Sequence, residues 1–262
     1  MGEVRRHFRW LANPQLFVGF AVACLCLGAI NNIVRAASNS GIDNVHPKHV
    51  KGVHIQQNAL PNCAVVACIA LSFDDGPDQQ VTPRVLDILN QEHVNATFFI
   101  VGQRVAGQEA ILRRAYAEGN EIGNHSWNHP DLTKLSPAEV DNQIRMTQTA
   151  ITNAGVPAPR LFRPPYGAVN EVVKSHARMA IIRWDIDPAD WEALDAVKIQ
   201  EGVLAQAKPG GIILMHDIYP TSADALRPAI DTLKARGYQF VTVSQLMHLA
   251  PGDQGQYFGA PR

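Results

Sequence analysis

The sequence predicts an α/β fold with parallel strands, on three observations. From Cys68 onward, short apolar runs alternate with amphipathic segments of helical period. Polar residues gather just after the apolar runs, where a barrel or an open α/β sheet presents its ligand-binding face. The chain has 262 residues, enough for one substantial core.

The elements follow in order from these patterns. Residues 68–73 form a strand that ends on two carboxylates, and 82–89 a helix. Residues 95–101 form a second strand, stopped by Gly102, and 108–118 a helix stopped by Gly119. A short strand spans 121–124. Ser136 caps the next helix, with Glu139 three residues on as a capping box, and that helix ends before Gly155. A short strand at 161–162 precedes a helix over 169–176. Residues 179–184 and 211–215 are further strands. Between Ser222 and Arg236, Leu226, Ile230 and Leu233 share one helical face. Residues 240–243 give the last strand, 244–249 a short helix, and 251–262 a tail.

The first 36 residues read differently. Arg5, Arg6 and Arg9 precede an uncharged stretch over 10–34, with its apolar heart at 16–30. That length suits the apolar region of a signal peptide and is short for a membrane span of about 20 residues. Val34-Arg35-Ala36 supplies a small-residue cleavage pattern. The rival reading is an uncleaved N-terminal anchor. Arg5-Arg6-His7-Phe8 also resembles a twin-arginine export signal. The expected location is therefore secreted or extracytoplasmic. Residues 37–61 are polar and without period; His46, His49 and His54 read as part of a solvated leader. The catalytic domain is expected over 62–250.

Export changes the charge and cysteine arithmetic. The whole chain carries 23 Lys and Arg against 24 Asp and Glu, a net charge of -1. Residues 1–36 hold four basic side chains (Arg5, Arg6, Arg9, Arg35) and one acidic one (Glu3), so the remainder is net -4. Such a chain offers no broad basic surface to a nucleic acid. Cys24 and Cys26 fall in the apolar stretch, which leaves Cys63 and Cys68. In an oxidising compartment this even pair reads as a disulfide; two buried thiols are the alternative.

Five polar clusters follow the strand ends. Ser72-Phe73-Asp74-Asp75-Gly76-Pro77 offers adjacent carboxylates that point in different directions, so one can hold a cation while the other handles protons. His125-Ser126-Trp127-Asn128-His129-Pro130 places two imidazoles four residues apart, a common metal-ligand spacing. With Asp75 they make a three-ligand set suited to catalytic zinc or a similar divalent ion. Arg163-Pro164-Pro165-Tyr166-Gly167 is a stiffened loop that can hold an arginine beside a carboxylate. Trp184-Asp185-Ile186-Asp187-Pro188-Ala189-Asp190-Trp191 is dense in acids and aromatics. Leu214-Met215-His216-Asp217 ends an apolar strand on a histidine.

Together the five clusters resemble the polysaccharide deacetylase family, the group with the NodB homology domain (carbohydrate esterase family 4). Its pattern reads T/S-F-D-D-G-P, H-S/T-x-x-H-P, R-x-P-Y-G, D-x-x-D-W and L-x-H-D. All five occur in order over residues 68–217, with Ser72 standing where threonine is commoner. The resemblance implies a distorted (β/α) barrel with fewer strands than the eight of a full one. It implies Asp75, His125 and His129 as metal ligands and Asp74 as general base, held by Arg163. It implies the Tyr166 N–H as an oxyanion donor, and His216 as general acid supported by Asp190. Trp184 and Leu214 would enclose the acetyl methyl. The cofactor expected is one divalent ion, zinc first, with cobalt, nickel or iron as alternatives. The expected activity is N-deacetylation of amino sugars in a glycan, peptidoglycan first and chitin or chito-oligosaccharide second. The alternatives are an O-acetyl esterase on xylan or a similar glycan, and a non-catalytic glycan-binding protein on the same fold. No nucleic-acid partner is expected, and a membrane only if the N-terminal segment stays uncleaved.

Overall fold

The computed structural model describes residues 61–260; the stretch read from the sequence as an export signal and most of the expected leader lie outside the described residues. The elements are β1 (Cys68–Asp74), α1 (Val81–Gln91), β2 (Thr97–Ile100), α2 (Glu109–Ala117), β3 (Glu121–Asn124), α3 (Pro137–Asn153), β4 (Leu161–Phe162) and α4 (Glu171–Ala177). They continue with β5 (Ala180–Ile182), α5 (Asp190–Ala193), α6 (Ala196–Gln206), β6 (Ile212–His216), α7 (Pro220–Ala235), β7 (Gln239–Phe240), α8 (Val243–Leu246) and β8 (Gln256–Tyr257).

The strands pair in the order β6-β1-β2-β3-β4-β5-β8, every pairing parallel, and β7 takes the start of β1. The sheet curls until isolated bridges from Ile186 to Ile213 and from Gly211 to Gly259 join its two ends. This is the distorted (β/α) barrel that the resemblance implies, closed by single bridges where a full barrel has a continuous ladder.

The period of two along β1 decides what faces inward. Ile69, Leu71 and Phe73 pack outward in the core shared with α1, α2, α6 and α7. Cys68 and Ala70 face the barrel interior with Phe99, Leu161, Ile182 and Ile212. Continuing that alternation puts Ser72 and Asp74 inside, at the C-terminal mouth. The Ser72 hydroxyl donates to the Ile213 carbonyl at 2.6 Å and ties β1 to β6 beneath the mouth. A third cluster, with Val140, Ile144, Phe162, Val173 and Ile181, seats α3 and α4 on the other side of the sheet. At the start of α3, Glu139 accepts from the Ser136 N–H at 2.8 Å, as the capping box requires.

Two parts of the sequence reading need correction. The C-terminal segment contributes β8, which pairs with β5, so residues 251–260 are not a plain tail. Helix α6 was not expected, because Gly202 interrupts its helical pattern. In the fold that glycine is where α6 meets Pro188: a Cβ at Gly202 would stand 3.1 Å from the Pro188 Cα. Asp195 caps α6, accepting from the Val197 and Lys198 N–H groups. Cys63 and Cys68 form a disulfide that anchors the entry to β1. Among the described residues no helix is long and apolar enough to cross a membrane.

Candidate active site at the barrel mouth

The inward positions at the strand ends converge. Asp74 ends β1 and His216 ends β6, and the register pairs these two residues directly. Arg163 follows β4 and Trp184 follows β5, both on the interior face. The residues after them leave the sheet in unusual conformations. Asp75 (φ 76°), His129 (φ 58°), Tyr166 (φ 59°) and Ala189 (φ 52°) are all left-handed. Each such residue costs roughly 1–3 kcal/mol and persists only where its surroundings over-determine it. With Ser126 (φ 70°), five of them around one mouth mark a constrained site.

One wall gathers Asp75, His125 and His129. One ligand atom from each lies within 4.8 Å of the others. The Asp75 Oδ1 is 3.6 Å from His125 Nε2 and 3.5 Å from His129 Nε2. That Oδ1 is buried without a hydrogen-bond partner among the described residues. His125 Nδ1 sits 2.6 Å from the Arg163 carbonyl oxygen, which fixes its proton there and leaves Nε2 as the bare acceptor. Burial, with the neighbouring His129, lowers His125 to about 3, so this ring is neutral at working pH. An orphaned carboxylate oxygen and a neutral, oriented imidazole fit a divalent cation.

Behind that wall, Arg163 is wholly buried. Its Nη1 donates to Asp74 Oδ1 at 2.7 Å, and its other nitrogens reach the Ile182 and Arg183 carbonyls. Its guanidinium lies 4.1 Å over the Phe99 ring, and Gly123 leaves room for that ring: a Cβ there would meet it at 2.5 Å. Burial pushes the Asp74 carboxyl above the usual carboxylate range, while Arg163 and His216 pull it back. Its Oδ2 lies 3.6 Å from His125 Nε2, so the free oxygen faces the metal wall.

The opposite wall carries His216. Its Nδ1 is 2.7 Å from Asp190 Oδ1, and its backbone N–H donates to Asp190 Oδ2 at 2.8 Å. The Ser222 hydroxyl donates to that same oxygen at 2.5 Å. Burial works against a charged His216, but the Asp190 hydrogen bond and the charges of Asp190, Asp74 and Asp75 outweigh it and raise the ring to about 9. Above the walls, the exposed Tyr166 ring meets His129 edge-on at 4.6 Å. The Tyr166 N–H has no partner among the backbone hydrogen bonds of the described residues. Trp184 flanks Gly167, where a Cβ would approach its ring to 3.1 Å, and Leu214 shares the inner face of β6 with His216.

The metal, catalytic and substrate-binding residues expected from the sequence thus gather at this mouth, and Cys63 and Cys68 lie at the opposite end of β1. Ser222 and Thr82 were missed. Both lie outside the five clusters, and only the fold brings Ser222 to Asp190 and Thr82 to Asp217.

The polysaccharide deacetylase family model matches residues 62–183. A chitooligosaccharide deacetylase of Bradyrhizobium is 40% identical over 196 residues, covering 68% of this chain and 90% of that protein. This chain belongs to the polysaccharide deacetylase family. The chain is also similar to the peptidoglycan-N-acetylglucosamine deacetylase PgdA of Listeria monocytogenes, 46% identical over 187 residues and 71% of this chain. The match spans only 40% of that longer protein. Among solved structures, a family 4 acetyl xylan esterase from Clostridium thermocellum, in complex with a cobalt ion, is similar with a TM-score of 0.70 and 37% identity. It covers 74% of this chain and 100% of that one.

Proposed function

We propose that this family member is an extracytoplasmic, divalent-metal-dependent N-deacetylase that releases acetate from N-acetylated amino sugars of a glycan. Peptidoglycan is the first substrate and chitin or chito-oligosaccharide the second, in keeping with the Listeria and Bradyrhizobium relatives. The observation that carries the reading is the register of Asp74 with His216, two proton-handling groups on adjacent strands facing one candidate metal triad.

Asp75, His125 and His129 would hold the ion, with zinc the first choice. Such an ion, when bound, polarises a carbonyl and lowers the pKa of a coordinated water. Asp74 takes the proton of the attacking water; Arg163 keeps its carboxylate aimed and leaves Oδ2 free. The Tyr166 N–H donates to the developing oxyanion, a contribution of about 3 kcal/mol in comparable sites. His216, protonated below about pH 9, gives its proton to the leaving nitrogen. Asp190 holds that ring through Nδ1 and leaves Nε2 to face the substrate. Trp184 and Leu214 enclose the methyl group. Residues 1–36 direct export, with the anchor as the alternative outcome.

A second reading is O-deacetylation, favoured by the similarity to the acetyl xylan esterase. The strongly held proton on His216 supports the amide instead, since an amine leaves only when protonated and an alcohol leaves more readily. The test is acetate release from peptidoglycan, chito-oligosaccharide and acetylxylan, with and without chelator. The expected result is acetate with an equal amount of free amine from the first two, abolished by chelator and restored by metal. Acetate from acetylxylan alone would overturn the N-deacetylase reading.

A further inference from the structure

One buried carboxyl group beside the site has no part in the chemistry above. Asp217 directly follows His216 and is enclosed by protein. Its Oδ2 accepts from the Thr82 hydroxyl at 2.5 Å, and its Oδ1 is buried without a partner among the described residues. The Thr82 hydroxyl in turn accepts from the Asp78 N–H at 2.8 Å. Both carboxyl oxygens point end-on at the space a side chain on Gly76 would take. A Cβ at Gly76 would stand 2.3 Å from Oδ2, 2.4 Å from Oδ1 and 2.7 Å from Cγ, so no other residue fits there.

Gly76 is the residue after Asp75, which holds its left-handed φ of 76°. On the other flank, the Gly76 carbonyl accepts from the Val101 N–H at 3.0 Å. The turn is therefore gripped by the end of β2 on one side and by Asp217 on the other. A buried carboxyl is costly unless something holds it. Here it does what an aliphatic side chain of similar volume cannot: it abuts a bare α-carbon end-on and stays hydrogen-bonded through Thr82 to the far end of the same turn.

We infer that Asp217 is a positioning residue whose carboxyl group clamps the 75–78 turn and keeps Asp75 aimed at the metal site. The inference rests on the metal reading of Asp75, His125 and His129. It also gives the mouth a mechanical link, because the residue that sets the turn is covalently next to the candidate acid His216.

The test is titration of the full chain with Co²⁺, read by its visible absorption. Asp217→Ala should weaken Co²⁺ binding roughly 10–100-fold, the range for partners that orient a metal ligand. Asp217→Asn, which keeps the planar group and an acceptor for Thr82, should bind close to wild type. Gly76→Ala should also lose affinity, and adding Asp217→Ala to it should restore part of that loss, because the clash partner is gone. Wild-type affinity in Asp217→Ala, or strictly additive losses in the double variant, would overturn the clamp. Should Asp217→Ala not fold, Thr82→Val decides: weakened binding supports the clamp and unchanged binding overturns it. Wild-type protein that bound no Co²⁺ would overturn the metal reading and the clamp together, whereas wild-type binding with an indifferent Asp217→Ala overturns the clamp alone.

Discussion

His125 and His216 stand on facing walls of one mouth and differ in what surrounds their rings. His125 is enclosed beside His129, with a backbone carbonyl at Nδ1, and is lowered to about 3. His216 is also largely buried, yet a carboxylate sits at its Nδ1 and it is raised to about 9. Burial opposes the charged form in both. The balance of neighbours decides the outcome: at His125 desolvation, helped by His129, outweighs the pull of Asp75 and of the Arg163 carbonyl, whereas at His216 the hydrogen-bonded Asp190, with Asp74 and Asp75, outweighs it. One ring is thereby kept as a bare ligand and the other as a proton donor. The difference is one of contact: Asp190 is hydrogen-bonded to the His216 ring at 2.7 Å, whereas Asp74 and Asp75 each stand 3.6 Å from the His125 ring.

The largest break in this comparison comes from the ligand wall. His125→Ala should abolish stoichiometric zinc binding, measured by titration against a chromophoric chelator, and reduce turnover to background. Asp74→Asn should keep zinc binding and lower kcat by about 10²–10⁴-fold, the range for a lost general base. Near-wild-type turnover in that variant would remove Asp74 from the role. The two variants together separate holding the metal from moving the proton.

Smaller changes sharpen the acid wall. Asp190→Asn removes a charge and a charge-assisted hydrogen bond, worth about 1.5–3 kcal/mol. The His216 ring should then titrate about one to two units lower by nuclear magnetic resonance in metal-free protein. The sign follows from the raised value: His216 carries its proton below about pH 9, so the variant loses acid competence at lower pH. Ser222→Ala, which removes one donor to Asp190, should shift the ring by less than about one unit and in the opposite direction, since an Asp190 with one fewer donor binds the His216 proton more strongly.

The sequence made one face of this site legible and hid the other. Asp74, Asp75, His125, His129 and His216 stand in short clusters after apolar runs, and period-two alternation carries the inward side chains to the mouth. The supporting contacts are long-range. Ser222 reaches Asp190 across 32 positions and Thr82 reaches Asp217 across 135, and no local pattern announces either. The register of Asp74 with His216 depends on β1 and β6 pairing in space, which strand patterns alone do not specify. Helix α6 hid behind Gly202 because propensity argues against a glycine that packing against Pro188 demands. Strand β8 has only two residues, too few for any period to register.

The most direct measurement is a pH titration of the His125 and His216 ring nitrogens in metal-free, isotope-labelled protein. The account predicts that His216 loses its proton near pH 9 while His125 is still neutral at pH 5. Two rings titrating together near the ordinary histidine value of about 6.5 would contradict it.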